Sequence, residues 1–143
     1  MYKILAIDEN SLFLEILIEL LKMKGCKAID ASTGRLGIQL AKAQMPDLII
    51  CEIRMPDLDG FKVVETLRQD PLTKNIPLIL FSNFITSEER LTARKLGAND
   101  CIDKFCTFEE LFKIIKTQIE KSFAVDQVEI QKKNFFQITV QPR

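Results

Sequence analysis

Short apolar runs alternate along the chain with longer stretches in which apolar residues recur every three or four positions. Ile4 to Ile7 is a compact apolar strand. Asn10 or Ser11 can cap the helix that follows over Leu12 to Lys22, and Gly25 ends it. Lys27 to Ala31 is a more polar strand, suited to a sheet edge. Ser32-Thr33-Gly34 turns the chain into a helix over Leu36 to Gln44. Beyond Pro46, Leu48 to Ile53 makes a third strand. Phe61 to Arg68 is helical, with Phe61, Val64 and Leu67 on one face, and Asp70-Pro71 closes it. Pro77 to Ser82 is a fourth strand. Thr86 and Glu89 have the spacing of a capping box, opening a helix to Leu96 with Gly97 as its C-terminal cap. Asp100 to Asp103 is a short fifth strand. Thr107 and Glu110 repeat the box before a last helix to about Ser122.

Strands alternating with helices predict an α/β fold, a parallel sheet covered by helices on both faces. Central strands rich in Ile and Leu, without period-two alternation, fit burial on both sides. Residues 1–122 therefore read as one domain. Residues 123–143 change character. Val128 and Ile130 alternate with polar neighbours, and Phe136, Ile138 and Val140 do so again after Lys132-Lys133-Asn134. This C-terminal tail is expected either to form a β-hairpin or to begin a second domain. In the first helix, Phe13, Ile16, Leu17 and Leu20 form a core stripe, and Leu14, Ile18 and Leu21 a second. So broad an apolar arc suits either a wide core contact or a partner face, including a homodimer.

Composition removes several classes. The 143 residues carry twenty acids and twenty bases, hence no net charge to draw nucleic acid or an anionic membrane. No apolar run approaches the ~20 residues that span a bilayer. Asp8 interrupts the N-terminus too soon for a signal peptide, so a cytoplasmic location is expected. With no histidine, zinc sites containing histidine and histidine-based nucleophile triads are excluded. Cys26, Cys51, Cys101 and Cys106 form no Cys-x-x-Cys pair and read as small buried thiols.

In sheets of this kind ligands bind outside the carboxyl ends of the strands. There the sequence places Asp8 and Glu9 after the first strand, Glu52 at the end of the third, Ser82 and Asn83 after the fourth, and Lys104 after the fifth. Acids can hold Mg²⁺, while a lysine and a hydroxyl can bind phosphoryl oxygens. No glycine-rich phosphate loop is present, so a nucleotide is not the expected ligand.

The order Asp8-Glu9, the stretch Glu52 to Gly60 ("EIRMPDLDG"), Ser82, Gly97-Ala98-Asn99-Asp100 and Lys104 resembles the receiver domain of two-component response regulators, the CheY-like superfamily, over about residues 3 to 121. That resemblance implies a doubly wound, flavodoxin-like five-stranded sheet of order 2-1-3-4-5. It also implies phosphoryl transfer from a histidine kinase to a carboxylate, Mg²⁺ held by the acid pair, and a signal read on the face of helix 4, strand 5 and helix 5. Four positions depart from the family. The phosphoacceptor aspartate is Glu52, the small residue after the hydroxyl is Asn83, the aromatic switch residue is Cys101, and the proline after the lysine is Phe105.

Glutamate is one methylene too long for in-line transfer, where an error of ~1 Å costs about a hundredfold. The expectation is a non-enzymatic pseudo-receiver. Its Glu52 pairs with Lys104 and with Ser82 as a phosphoryl would, Asn83 crowds the entrance, and it acts through a protein partner independently of phosphorylation. The rival is an active, Mg²⁺-dependent phosphoacceptor. No cofactor is required on the first reading. Asp8, Glu9 and Glu52, with the Arg54 carbonyl, are the residues that can hold Mg²⁺ weakly.

Overall fold

The computed structural model describes the backbone of residues 1–140 and the side chains of residues 1–135. In chain order the elements are β1 (Lys3–Ile7), α1 (Ser11–Met23), β2 (Lys27–Ala31), α2 (Gly34–Gln44), β3 (Leu48–Cys51), α3 (Gly60–Gln69), β4 (Leu78–Ser82), α4 (Ser87–Leu96), β5 (Asp100–Asp103) and α5 (Phe108–Val140). The five strands form one sheet in the order β2-β1-β3-β4-β5, and every pairing is parallel. This is the flavodoxin-like architecture expected from the sequence.

Successive side chains of a strand point to opposite faces, and both faces of this sheet are apolar. Leu5, Ile7, Ile49, Cys51, Leu78 and Leu80 pack with Ala41 of α2, Val63, Val64 and Leu67 of α3, and Ala93 of α4. Ile4, Ala6, Leu48, Ile50, Ile79 and Phe81 pack with Leu14, Leu17 and Leu21 of α1 and with Leu111, Ile115 and Ile119 of α5. Each such Leu or Ile stabilises the fold by about 1.5–3 kcal/mol. The continuous apolar strands follow from this double covering. β2, at the edge, buries only Ala31 fully.

The caps lie where side-chain chemistry puts them. Asn10 accepts from the N–H of Phe13 at 3.0 Å, so it, not Ser11, caps α1. Both capping boxes form, Thr86 with Glu89 and Thr107 with Glu110. Gly97 closes α4 at φ +105°, the left-handed region glycine enters freely.

Two expectations are corrected. The inward stripe of α1 is Leu14, Leu17 and Leu21; Ile16 is half exposed and lines a groove against α5 with Phe13 and Leu20. The tail is not a β-hairpin, since α5 continues as one helix to Val140. No glycine or proline lies between Phe108 and Val140, and Ala124, Gln127, Glu129, Gln131, Lys132 and Lys133 are helix formers. A helix already nucleated on the sheet adds residues at little cost, whereas a lone hairpin is marginal in water. Residues 141–143 of the tail lie outside the described residues.

Candidate functional site

The last rungs of the parallel ladder aim the chemistry. The N–H of Asp8 donates to Ala31 O at 3.0 Å, that of Glu52 to Ile7 O at 2.9 Å, and that of Lys104 to Ser82 O at 2.9 Å. Three side chains are thus delivered to one edge by backbone that is already hydrogen-bonded. Gly60 fixes the loop after β3 from below, because a Cβ there would run into the carbonyl oxygen of Glu52.

Lys104 Nζ donates to Asp8 Oδ2 at 2.7 Å and to Glu52 Oε1 at 2.9 Å. The side chains of Lys104, Asp8 and Glu52 are only 10%, 5% and 11% exposed. The ammonium also lies 4.0 Å from the ring centroid of Phe13, a cation–π contact that closes its apolar side. The second oxygen of Glu52 turns back on its own loop and accepts the N–H groups of Ile53 at 2.6 Å and Arg54 at 3.1 Å. That local bonding competes with the sheet ladder, and β3 ends at Cys51 rather than Ile53. Burial pushes the Glu52 carboxyl up. Hydrogen bonds from Ser82, Lys104 and the Arg54 backbone, with the charge of Lys104, outweigh it and hold the group below its ordinary value. Beneath it, burial drives the Cys51 thiol well up, with the Glu52 and Asp8 charges adding to the effect.

The side chain of Arg54 is a functional group the sequence reading missed. Its Nη1 donates to Ser82 Oγ at 2.7 Å and to Asn83 O at 2.9 Å. Its Nη2 reaches Phe84 O at 3.3 Å and the two oxygens of Glu89 at 2.9 and 3.0 Å. One guanidinium therefore joins the loop after β3 to the loop after β4 and to the first turn of α4. The only sequence signal was an arginine two positions beyond Glu52 with an acid, Glu89, in the α4 capping box.

The remaining expected residues divide. Ser82 is buried and takes part through Arg54 and Glu52. Asn83 is exposed at the start of the loop after β4 and contributes its carbonyl. Cys101 is half-buried in β5, and its carbonyl accepts from Arg90. Phe105 is exposed, and so is Glu9, which takes no part in the hydrogen bonds that join Lys104 to Asp8 and Glu52.

Residues 4–116 match the family model for the response regulator receiver domain. The chain belongs to that family. Its receiver is similar to protein PilH of Pseudomonas aeruginosa, 30% identical over 115 residues, which cover 80% of this chain and 95% of PilH. A ycf27 relative from Guillardia theta is 31% identical over 120 residues, covering 84% of this chain but 46% of its own length. The sensor histidine kinase CheAY of Helicobacter pylori is 31% identical over 121 residues, 83% of this chain and 15% of the kinase. The chain thus spans less than half of those two longer relatives. In fold it resembles a CheY-like receiver from Methanospirillum hungatei, with a TM-score of 0.81, 20% identity, and coverage of 87% of this chain and 98% of that one.

Receiver domains commonly bind Mg²⁺ at this acidic edge. In this structure the carboxylate oxygens of that set are engaged by the protein itself. Asp8 Oδ1 accepts the N–H of Asn10 at 2.9 Å, and its Oδ2 accepts Lys104. Both Glu52 oxygens are likewise taken, and among the described residues no three metal-ligating side chains gather. Binding of Mg²⁺ by Asp8, Glu9 and Glu52 would first need Lys104 withdrawn. No helix among the described residues is long and apolar enough to cross a membrane.

Proposed function

We propose that this receiver is a phosphorylation-independent signalling module of the two-component type, in which the Glu52 carboxylate stands where a phosphoryl group would and holds Lys104 in place. The contact that carries this reading is Lys104 Nζ to Glu52 Oε1, 2.9 Å long with both side chains about nine-tenths covered. A carboxylate with a lowered pKa is a fixed negative charge at neutral pH, always present and never transferred. Receiver domains are generally non-enzymatic and interact with histidine kinases and downstream proteins. This one, read so, acts in the cytoplasm by binding a protein, through the α4–β5–α5 face or α1, or by pairing with a second copy.

The test is intact-mass measurement after incubation with acetyl phosphate and Mg²⁺. The expected result is no added phosphoryl mass. Stoichiometric labelling lost in Glu52→Gln would establish the rival reading, a Mg²⁺-dependent phosphoacceptor served by a histidine kinase. Glu52→Asp should still not label rapidly to completion, because Asn83 and Phe105 remain.

A further inference from the structure

A second group of charges lies at the opposite end of the sheet, where β4 and β5 begin. Arg68, in the last turn of α3, reaches the turn between α4 and β5. Its Nε donates to Gly97 O at 2.9 Å and its Nη2 to Asn99 Oδ1 at 2.9 Å, while Nη1 donates to Thr73 O at 3.5 Å. Asn99 Oδ1 also accepts the N–H of Leu78 at 2.9 Å, so the guanidinium rests on an anchored group. A Cβ at Gly97 would come within 3.2 Å of the Arg68 side chain, and glycine leaves that side chain its room. Every acceptor of Arg68 is neutral. They fix its place and leave its charge unanswered. Burial pushes the guanidinium below its ordinary value, a penalty that an arriving anion would relieve. Of its five N–H groups, one on each terminal nitrogen is uncommitted.

Arg68 lines a cavity of about 310 Å³, within the ~300–1,000 Å³ of small-molecule pockets. One wall is the body of the domain, with Arg68 and Lys74. The other is α5 from Gln118 onward, with Lys121, Asp126 and Glu129. The body wall is basic, and the far part of the helix wall is acidic. Among the described residues none of these five charged side chains has an ion-pair partner. Opposite charges thus stand on different walls of one cavity without meeting. A ligand of a single sign would be repelled by one wall. A small zwitterion answers both.

We propose that this cavity binds a free amino acid, its carboxylate held by Arg68 and Lys74 and its ammonium by Asp126 and Glu129. A planar guanidinium grips a carboxylate with two hydrogen bonds, a geometry that a lysine cannot reproduce. Bound in this way, the ligand bridges the body of the domain to α5 and steadies the helix beyond Ile119. The site lies at the far end of the sheet from Glu52, so it stands or falls independently of phosphorylation.

The test is the amide spectrum of the full chain during titration with the protein amino acids, β-alanine and γ-aminobutyrate in turn. Propionate and propylamine, each with one of the two charges, are controls at matched ionic strength. At least one amino acid should give saturable shifts at Asn75, Gly97 and Asn99 and at Ser122 to Asp126, and either control should bind at least about tenfold more weakly. That amino acid is then titrated against Asp126→Asn and Arg68→Lys. Asp126 is exposed on α5, so Asp126→Asn should keep the wild-type unfolding midpoint and weaken binding by about tenfold or more. Arg68→Lys keeps the charge without the fork and should weaken it by a similar factor. If that variant unfolds, Lys74→Gln, in an exposed turn, takes its place with the same expectation. On saturation, amide exchange over residues 123–135 should slow. No saturable shift at those amides with any amino acid, a control that binds as tightly as the best amino acid, or wild-type affinity in Asp126→Asn would overturn the site. Unchanged exchange on saturation would overturn the bridging of α5.

Discussion

Lys104 and Arg54 reach the same end of the sheet, one from the loop after β5 and the other from the loop after β3. The Lys104 side chain is 10% exposed and meets two carboxylates and an aromatic face. The Arg54 side chain is 50% exposed and divides its donors between a hydroxyl, two backbone carbonyls and one carboxylate. Charges removed from water must be matched at once, so the lysine is bound up with the stability of the fold. A half-exposed ion pair is worth about 0–1 kcal/mol, so the arginine contributes little to stability and mainly fixes geometry. The same edge thus contains a structural cation and a positioning cation. Only the second can be lost without endangering the fold.

The largest expected effect comes from Lys104→Met. It leaves Asp8 and Glu52 charged and buried without a counter-charge, and should cost about 3–5 kcal/mol in urea unfolding. The companion Arg54→Met should cost no more than about 1 kcal/mol. Equal losses in the two variants would abolish the distinction.

Glu52→Gln comes next, at about 1–3 kcal/mol, because Lys104 keeps Asp8 as a partner. Its pH dependence sharpens the comparison. The folded Glu52 carboxyl titrates below its ordinary value of 4.5, so its stabilisation is complete above 4.5 and is lost as the pH falls through the lower, folded value. The stability gap between wild type and Glu52→Gln should therefore close on acidification below 4.5. A gap that persists or widens there would mean that the carboxylate is not the stabilised form.

Smaller still is the effect of Arg54→Ala on amide exchange. The N–H groups of the loop after β4, near Phe84, should exchange faster while the sheet amides keep their protection. Unchanged exchange in that loop would show that Arg54 does not hold it. Smallest of all, Phe84→Ala should move overall stability by no more than about 0.5 kcal/mol, as measured by thermal unfolding.

Much of this was legible along the chain. Apolar runs without alternation could only be strands covered on both faces, and the short connections left one edge on which Asp8, Glu52, Ser82 and Lys104 could meet. The sequence also led to the pairing of Glu52 with Lys104, since a longer carboxylate beside an ammonium has one natural partner. Arg54 was not legible in the same way. One of its partners is the carbonyl of Phe84, a left-handed residue, and nothing in a phenylalanine announces that backbone conformation. The tail misled because Val128 and Ile130 two apart fit a strand as well as one side of a helix. The absence of any glycine or proline between Phe108 and Val140 was the better guide. In α1, apolar residues on nearly every side hid which stripe faced the sheet.

The central claim is that the place of a transferable phosphoryl is already filled by a fixed carboxylate. Titration with a beryllofluoride salt and Mg²⁺, followed by the amide spectrum of the loops after β1, β3 and β4, tests it most directly. The account predicts unmoved resonances for Asp8, Glu52 and Ser82, with Lys104 still held between its two acids. Saturable shifts at those residues, abolished by Glu52→Gln, would contradict it.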